Sequence, residues 1–395
     1  MIVLLPIVKS IPGGIFYQDA AQGLRDALVE AGHTVQWFML GEVGVLSAAE
    51  AAAGVRWANA SGEKLVIDLC CWGHALSEAR LQSAGANDSE NVFDIAGAAC
   101  VGLLYDQPYF QALSSILARR LYAVVPDHHH PEQIALLHPQ LQLAGSLFAP
   151  PAVRPQNDFS CNWAERDISL LYVGSLAPGA LHRPWQGLPN ARLCGALADE
   201  ALARPDTPLH RLALEVTGRL GTACAPAEIT LLLREVEFFL RARLRHDTVQ
   251  AVAAAGLPLH LFGSGWDQVR LPASVLRHPP TDYAGMLAVA GRSRIALDAS
   301  TYLGGANDRI FHYALNGVPC FTNAGEWLQQ AFSPEDGFHC YRMDGLDGLV
   351  AEISGLLARP QDLREQGDRA RALTLSGHTW RHRVESILAC IKPGP

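Results

Sequence analysis

One segment of the chain joins a glycine-rich loop to a helix that carries a cation in its first turn. The loop Gly304–Asn307 leads into Asp308 and Arg309, and apolar residues at helical spacing follow from Ile310. The free N–H groups at a helix N-terminus carry about half a positive charge. An anion such as a diphosphate would be stabilised there by the helix and by the Arg309 guanidinium together. The alternative is an ordinary helix start with Asp308 as its N-terminal acid and Arg309 as a solvated neighbour.

Asp106 is the candidate general base of the first half. It follows directly on the apolar run Ala99–Tyr105, and Pro108 fixes the turn after it. A carboxylate at the end of a buried strand is well placed to accept a proton from a substrate hydroxyl. Asp106 is therefore either an acceptor-side residue or a loop acid that caps the helix predicted near Phe110.

Three consecutive histidines, residues 128–130, follow the predicted strand Tyr122–Val125. Adjacent side chains on one short loop point in different directions, whereas metal ligands usually come from separated positions. We expect no metal site here. His128 or His129 is instead a candidate base or acceptor contact.

The elements that position these residues alternate between apolar strands and amphipathic helices. Ile2–Val8 has the continuous apolar pattern of a parallel strand buried on both faces. A turn with Gly13 and Gly14, a helix through Leu24 and the strand Thr34–Leu40 follow. This β-α-β order predicts a doubly wound α/β domain. Gly13 and Gly14 lie at the carboxyl end of the first strand and are acceptor-side candidates; a plain tight turn is the alternative.

A proline-rich linker, Ala149–Pro155, divides the chain into two predicted domains. Residues 1–155 form the first and residues 156–377 the second, and residues 378–395 contain the final helix. Residues 180–250 are mostly helical and are interpreted as an insertion in the second domain. Leu231–Leu244 is strongly periodic, and Arg234, Arg241, Arg243 and Arg245 are interpreted as a solvated, salt-bridged face, with a docking surface for the acceptor or for a second subunit as the alternative.

The composition excludes several classes of function. The formal charge is −8 and there is no basic run, which makes nucleic acid an unfavourable partner. No apolar stretch reaches membrane-spanning length, so a cytoplasmic protein is expected. The nine cysteines have no C-x-x-C spacing, which predicts neither disulfides nor a zinc site.

Arg309, Phe311, Gly317 and Pro319 form the pattern R-x-F-x-x-x-x-x-G-x-P. It resembles the donor-site segment of two-domain GT-B glycosyltransferases, in particular the family 1 or CgeB-like (spore-maturation) group. The final segment from His378 is similar to the closing helix of that group. The resemblance implies a GT-B fold: two doubly wound, Rossmann-like domains facing a cleft, with the last helix crossing back to the first domain.

The resemblance also implies which residues surround a nucleoside-diphosphate sugar. Gly174 and Ser175 end the strand that opens the donor domain, Gly263 and Gly265 belong to a G-x-G-W turn, and His278 to Tyr283 are placed near the nucleobase. Many relatives have a ribose-binding glutamate where this chain has His312. The expected donor contacts are therefore Gly174, Ser175, Gly263, Gly265, His278, Tyr283, Asn307, Asp308, Arg309, His312 and Glu326. For Glu326, contact with the sugar and capping of the helix Trp327–Phe332 are both open.

The sequence thus predicts a metal-independent glycosyltransferase with a nucleotide sugar as co-substrate and no other cofactor. An inverting reaction would take its base from Asp106, His128 or His129, and a retaining one would need none. Donor sugar, acceptor (protein, polysaccharide or small molecule) and oligomeric state stay open. The alternatives are a sugar-nucleotide epimerase or hydrolase, and a non-catalytic partner protein that has kept the fold.

Overall fold

The computed structural model describes residues 1–9, 14–78, 91–177, 179–323 and 325–391. They divide into two compact units, one formed by residues 1–154 and 379–395 and the other by residues 155–378. Gly13 lies outside the described residues. Each unit is built on one six-stranded sheet in which all the neighbouring strands are parallel.

The first unit has the strand order β2-β1-β3-β4-β5-β6. Its strands are buried along most of their length because helices cover both faces of the sheet. The strands are β1 (Ile2–Val8), β2 (Thr34–Leu40), β3 (Lys64–Leu69), β4 (Ala99–Leu103), β5 (Leu121–Val125) and β6 (Gly145–Phe148). The helices are α1 (Gly14–Glu30), α2 (Ala48–Asn59), α3 (Val92–Ile95) and α4 (His130–Leu137).

The second unit has the strand order β12-β11-β10-β7-β8-β9. The strands are β7 (Ile168–Val173), β8 (Leu259–Phe262), β9 (Val275–His278), β10 (Ser293–Leu297), β11 (Cys320–Asn323) and β12 (Phe338–Tyr341). The helices are α5 (Ala191–Ala203), α6 (Leu209–Arg219), α7 (Pro226–Ala254), α8 (Tyr283–Gly291), α9 (Asp308–Leu315), α10 (Glu326–Ala331), α11 (Leu346–Leu357) and α12 (Pro360–Gly377). The last helix, α13 (Trp380–Cys390), belongs to the first unit.

Two doubly wound α/β units confirm the fold class expected from the sequence. The α12 helix was not predicted because its sequence is strongly polar and only four of its residues are buried. The short strand β9 was missed for a similar reason, since two of its four residues are exposed.

The strand order locates a crevice in each unit. In a doubly wound sheet, ligands bind at the carboxyl ends of the two strands where the order reverses. In the second unit these are β7 and β10, so the crevice is flanked by the turn at Gly174 and the loop that leads into α9. In the first unit they are β1 and β3, which places the crevice beside the residues after Val8 and after Leu69. Asp106 follows β4, one strand further along the sheet.

The turn after β3 has an unusual backbone. Cys70 and Cys71 have φ angles of 60° and 55°, a left-handed conformation that residues other than glycine rarely adopt. Their side chains enter different hydrophobic clusters, one with Tyr17 and the other with Trp57. The turn is held by Asp68, whose Oδ1 accepts a hydrogen bond of 2.9 Å from the Gly73 amide. Asp68 is 3% exposed, and this burial raises the pKa of its carboxyl to about 7.

The final helix is anchored in the first unit by Trp380. The indole is buried in the cluster that contains Tyr17 and Val384. Gly23 of α1 makes this packing possible, since a Cβ there would lie 2.2 Å from the Trp380 ring. The backbone of Val153 also pairs with that of Thr379, so the end of the linker and the start of α13 lie side by side.

The raised pKa of Asp68 predicts a specific pH dependence of stability. Between pH 3.8 and about 7 the folded protein retains a proton that the unfolded chain loses, so the free energy of unfolding falls as pH rises through this window. Asp68→Asn removes the titration and keeps an acceptor for Gly73. The variant should gain stability relative to the wild type between pH 5 and pH 8, by up to about 3 kcal/mol. Urea unfolding at the two pH values measures this difference.

Asp167→Asn is the matched control, because its exposed carboxylate has a pKa that a hydrogen bond from Arg292 lowers. Its stability relative to the wild type should not change between pH 5 and pH 8, because the pKa of Asp167 lies below this range in the folded and in the unfolded protein. The prediction is wrong if the stability difference between the wild type and Asp68→Asn is the same at pH 5 and at pH 8. Asp68 would then not keep its proton in the folded protein above pH 5.

Candidate functional site

A buried carboxylate, Asp298, organises the crevice of the second unit. It directly follows β10 and is 1% exposed. One carboxylate oxygen accepts a 2.9 Å hydrogen bond from Nε of Arg309, and the other accepts from Asn307 Nδ2 at 2.5 Å and from the Thr322 hydroxyl at 3.1 Å. Burial opposes the charged form of Arg309, but the charge of Asp298 outweighs it and raises the pKa of the guanidinium. Arg309 is therefore a permanent cation.

Helix α9 starts at this carboxylate. Asn307 is the N-cap, and its side-chain oxygen accepts from the Arg309 amide at 2.9 Å while its amide group donates to Asp298. The remaining six residues, Ile310–Leu315, are all buried, and Gly317 then turns the chain with a φ of 65°. Arg309 keeps a 26% exposed side chain, so the cation lies at the mouth of an otherwise buried helix.

The turn Gly174–Leu176 lies on the other side of the crevice and is fastened to the turn after β8. Gly174 N–H donates to the Phe262 carbonyl, Leu176 N–H donates to the Ser264 carbonyl, and the Ser175 hydroxyl accepts from Ser264 N–H at 3.0 Å. Within the described residues this leaves Ser175 as the one residue of the turn whose backbone N–H has no acceptor. Gly174 and Ser175 were both expected to contact the donor. The Ser175 N–H is available to an anionic ligand, whereas the Gly174 N–H is already hydrogen-bonded.

Gly263 and Gly265 have a structural reason to be glycine. A Cβ on Gly263 would lie 2.2 Å from the Gly174 carbonyl oxygen, and one on Gly265 would lie 1.9 Å from that of Leu176. Both also have positive φ angles, of 150° and 78°. They therefore allow the two turns to touch, and that contact shapes the crevice.

A second arginine reaches the same turn from helix α7. Arg245 Nη1 donates to the Ser175 carbonyl at 2.8 Å, and its Nε is buried without a partner among the described residues. Burial lowers the pKa of Arg245, and the nearby charge of Arg309 lowers it further. The interpretation of this helix as a solvated face is therefore wrong at Arg245. The sequence could have indicated it only by helical spacing, since Glu237, Arg241 and Arg245 recur every four residues.

Glu237, eight residues before Arg245 on the same face of α7, contacts another loop of the crevice. Glu237 is 2% exposed, accepts from Arg241 Nε at 2.8 Å and accepts from the Thr301 hydroxyl. Helix α7 therefore touches the turn after β7 through Arg245 and the loop after β10 through Glu237. It forms part of the wall of the site.

Aromatic rings line the side of the crevice near β8 and β9. The His278 ring stacks on Phe262 with centroids 4.2 Å apart, and its Nε2 lies 3.2 Å from Nδ1 of His260. Burial lowers the pKa of His260, and the neighbouring His278 lowers it further. Asp282 caps helix α8, because its side chain accepts from Gly285 N–H.

His312 lies inside the second unit. It is 1% exposed, and the Tyr283 hydroxyl is 3.1 Å from its Nε2. Asn157 Nδ2 donates to the same hydroxyl at 3.1 Å. Tyr283 and His312, both predicted as donor contacts, are thus hydrogen-bond partners of each other. Contact of His312 with a ribose stays a prediction.

The remaining donor-side candidate, Glu326, starts helix α10. Its backbone N–H donates to the Leu303 carbonyl at 2.7 Å, and its side chain is exposed. Gly325 permits this contact, since a Cβ there would lie 2.0 Å from that carbonyl oxygen. Asn323 makes two hydrogen bonds of 2.6 Å to the Ser300 backbone, so the loops after β10 and β11 are joined.

The acceptor-side candidates lie in the first unit. Asp106 accepts from its neighbour Gln107 N–H at 2.7 Å, and the next residues form a single 3₁₀ turn, Pro108–Phe110. The side chain of Gln107 lies 3.1 Å from Nε2 of the buried His130, which links this loop to the one after β5. Gly14 is the first residue of α1.

The histidine loop itself is ordered by packing and by Asp127. His128 stacks on Phe148 with centroids 3.6 Å apart, while His129 N–H donates to Asp127. Their roles stay predictions. Throughout the described ranges, no three His, Cys, Asp or Glu side chains are grouped so that they could hold a metal ion. The same ranges contain no helix that is both long and apolar enough to cross a membrane.

Comparison with known proteins fits this geometry. Residues 241–389 match the family described as "Glycosyl transferase-like". No curated protein matches the chain in sequence. Among solved structures, the chain is similar to AviGT4, a glycosyltransferase involved in avilamycin A biosynthesis, with 16% identity and a TM-score of 0.51 over 99% of this chain and 98% of that one.

Two further structures have the same fold. Sucrose-phosphate synthase from Thermosynechococcus elongatus has 13% identity and a TM-score of 0.55, over 98% of this chain and 97% of that one. HepE from Anabaena, solved with UDP and glucose, has 12% identity and a TM-score of 0.51, over 98% of this chain and 99% of that one. The protein therefore has the GT-B fold and carries a glycosyltransferase-like domain, which confirms the resemblance at that level.

Gly265 offers a test of how far the site depends on the contact between its two turns. Gly265→Ala and Gly256→Ala introduce the same methyl group at nearly the same φ, 78° and 74°, but only at Gly265 does a Cβ meet another atom within 4 Å. Gly256→Ala should cost the strain of a left-handed residue, roughly 1–2 kcal/mol of unfolding free energy. Gly265→Ala should cost clearly more, and chemical denaturation measures both. Equal losses would mean that the turns can separate without cost.

Proposed function

We propose that this protein transfers a sugar from a nucleoside-diphosphate sugar to an acceptor, and that the second unit binds the donor. The diphosphate would lie in the crevice between β7 and β10. Arg309, Arg245, the N-terminus of α9 and Ser175 N–H would contact it. The pattern formed by Arg309, Phe311, Gly317 and Pro319 favours membership of the CgeB-like group.

The observation that carries this proposal is a buried guanidinium at the crevice that is paired with no carboxylate among the described residues. Arg309 is paired with Asp298 and Arg241 with Glu237, whereas Arg245 reaches only the Ser175 carbonyl. Arg245 donates to a neutral carbonyl and keeps a buried Nε without a partner in the described part of the chain. Burying an uncompensated cation is costly, whereas an anionic ligand would supply the missing charge.

The same cations explain how transfer would proceed. The bond between the sugar C1 and the diphosphate oxygen breaks, and the diphosphate leaves with the electron pair. The acceptor oxygen forms the new bond to C1 and loses its proton. Fixed donors aimed at the leaving oxygen act where negative charge develops, which is the most effective place for electrostatic stabilisation. With two arginines and a helix N-terminus at this position, we propose that the reaction needs no metal ion.

The acceptor-side candidates belong to the first unit. An inverting reaction would need a base, for which Asp106, His128 and His129 are the candidates of the first unit. On the donor side, the stacked rings of His278 and Phe262 would lie beside the nucleobase, and exposed Glu326 would be free to meet the sugar.

Donor binding can be tested by thermal shift with UDP-, GDP-, dTDP-, CMP- and ADP-sugars. A ligand that binds only the folded state raises the melting temperature with the logarithm of its saturation. One nucleotide class should stabilise the wild type. Arg309→Lys keeps the charge beside Asp298 but loses the planar fork, and Arg245→Gln removes the second cation. Each should weaken binding at least about tenfold, since a charge-assisted hydrogen bond contributes roughly 1.5–3 kcal/mol.

Arg292→Lys is the matched control, because that arginine forms an exposed ion pair with Asp167 outside the crevice. It should leave nucleotide binding unchanged. Nucleotide binding that survives both crevice substitutions would place the diphosphate elsewhere. A wild-type protein that melts cooperatively but responds to no nucleotide would favour the non-catalytic partner protein.

A further inference from the structure

Asp298 is held by its backbone as well as by its side chain. Its N–H donates to the Phe321 carbonyl of β11 at 2.7 Å, and its own carbonyl accepts from the Tyr341 hydroxyl at 2.8 Å. No second donor to this carbonyl is found in the described part of the chain. Since Asp298 is 1% exposed, a carbonyl that lost this donor would be left unsatisfied in the interior. The Tyr341 hydroxyl therefore fixes the peptide unit at the end of β10.

Tyr341 reaches Asp298 across an intervening strand. It is the last residue of β12, and β11 lies between β12 and β10. Neighbouring strands are about 4.8 Å apart, so a long side chain is needed to join the first strand to the third. The Tyr341 ring is 5% exposed and belongs to the same hydrophobic cluster as Leu297 and Tyr172. Apolar packing thus holds the ring, and the hydroxyl makes the polar contact with Asp298.

A hydroxyl of helix α7 orients the Tyr341 hydroxyl. Thr248 is fully buried, and its Oγ1 lies 2.9 Å from the phenolic oxygen. Tyrosine has a single hydroxyl proton, and here that proton is directed at the Asp298 carbonyl, so Thr248 is the donor to Tyr341. Burial raises the pKa of the Tyr341 phenol, which keeps the proton in place. Two hydroxyls therefore link α7 to the end of β10 in one direction.

Helix α7 also carries the second cation of the crevice. Arg245 precedes Thr248 by three residues, a spacing that places both side chains on the same side of the helix. Arg245 donates to the Ser175 carbonyl after β7, while Thr248 acts on the end of β10 through the hydroxyl chain. One helix thus contributes to the positions of both guanidinium groups, Arg245 directly and Arg309 through the carboxylate that it pairs with.

We propose that Tyr341 is a positioning residue for Arg309. Its hydroxyl fixes the Asp298 backbone, and the Asp298 carboxylate then directs the guanidinium toward the diphosphate. This inference deepens the proposed function and rests on it for the identity of the ligand. Without the hydroxyl, the peptide after Asp298 can rotate and the carboxylate can shift against α9. The hydrogen bond that the carboxylate accepts from Arg309 Nε–H then opens more often.

Solvent exchange of the Arg309 Nε–H, measured by NMR on full-length protein with ¹⁵N-labelled arginine, tests this without any ligand. In the wild type this proton lies in a 2.9 Å hydrogen bond to Asp298, and Arg309→Lys identifies its signal by removing it. Tyr341→Phe keeps the ring and should raise the exchange rate about threefold or more. Thr248→Val removes the other hydroxyl at constant shape and should act in the same direction. It decides the question if Tyr341→Phe does not fold.

Tyr17→Phe is the matched control. Tyr17 is 1% exposed, and its hydroxyl donates to the Pro6 carbonyl of the first unit at 3.0 Å. Both substitutions delete one phenolic hydrogen bond to a backbone carbonyl, so they should lower the urea midpoint by similar amounts. Only Tyr341→Phe should change the exchange of the Arg309 proton. The proposal is overturned if Tyr341→Phe leaves that exchange unchanged, or if Tyr17→Phe raises it equally.

Calorimetric titration with inorganic pyrophosphate, which carries the diphosphate without sugar or base, connects the positioning to binding. Tyr341→Phe should raise the Kd roughly three- to tenfold, because part of one charge-assisted hydrogen bond is lost, and Tyr17→Phe should leave it unchanged. In the Arg309→Lys background, Tyr341→Phe should add little, since it acts through Arg309. An equal loss in both backgrounds would contradict a positioning role.

Failure of the proposed function has a different signature. A wild-type protein that binds neither pyrophosphate nor any of the nucleotide sugars would remove the proposed function. Faster exchange of the Arg309 proton in Tyr341→Phe would still support positioning of the ion pair by Tyr341.

Discussion

The ion pair between Asp298 and Arg309 is the interaction on which the second unit's crevice depends. A carboxylate at 1% exposure is tolerated only because a guanidinium, an amide and a hydroxyl all donate to it. Those donors come from α9, from its N-cap and from β11, so a single carboxylate fixes the end of one strand, the start of a helix and the neighbouring strand. The cation is held at the crevice as a consequence of satisfying the buried acid.

The loops that frame the crevice touch through their backbones. These contacts are possible only because glycine, which has no Cβ, stands at the points of contact. Gly263 and Gly265 allow the turn after β8 to touch the turn after β7, and Gly325 allows the same for the loops after β10 and β11. Each pair of loops is also joined by hydrogen bonds. The crevice is thus framed by polar backbone held at fixed spacing, which is the kind of surface that can recognise a phosphate.

The fold could be predicted from sequence because its strands are continuous apolar runs and its helices are amphipathic. The Arg309 segment was predictable as well, since a glycine-rich loop, a cation and a closing glycine all lie within fourteen residues. Arg245 was not, because it lies 64 residues earlier and its neighbours Arg241 and Arg243 form salt bridges typical of a solvated helix. Asp68 was missed for another reason: one acid within an apolar strand gives no sign of its burial or of the left-handed turn it supports.

His312 shows how one change of residue type alters the chemistry of a fixed position. A glutamate at 1% exposure would need donors for two oxygens, whereas the imidazole of His312 carries no oxygen and places Nε2 3.1 Å from the Tyr283 hydroxyl. Asn157 in turn donates to that hydroxyl, so a short chain of hydrogen-bonded side chains fills the space. A ribose in this crevice would therefore meet no carboxylate at position 312. Recognition of the donor would depend correspondingly more on the diphosphate, where the fixed charges are, and on the aromatic rings beside β8 and β9.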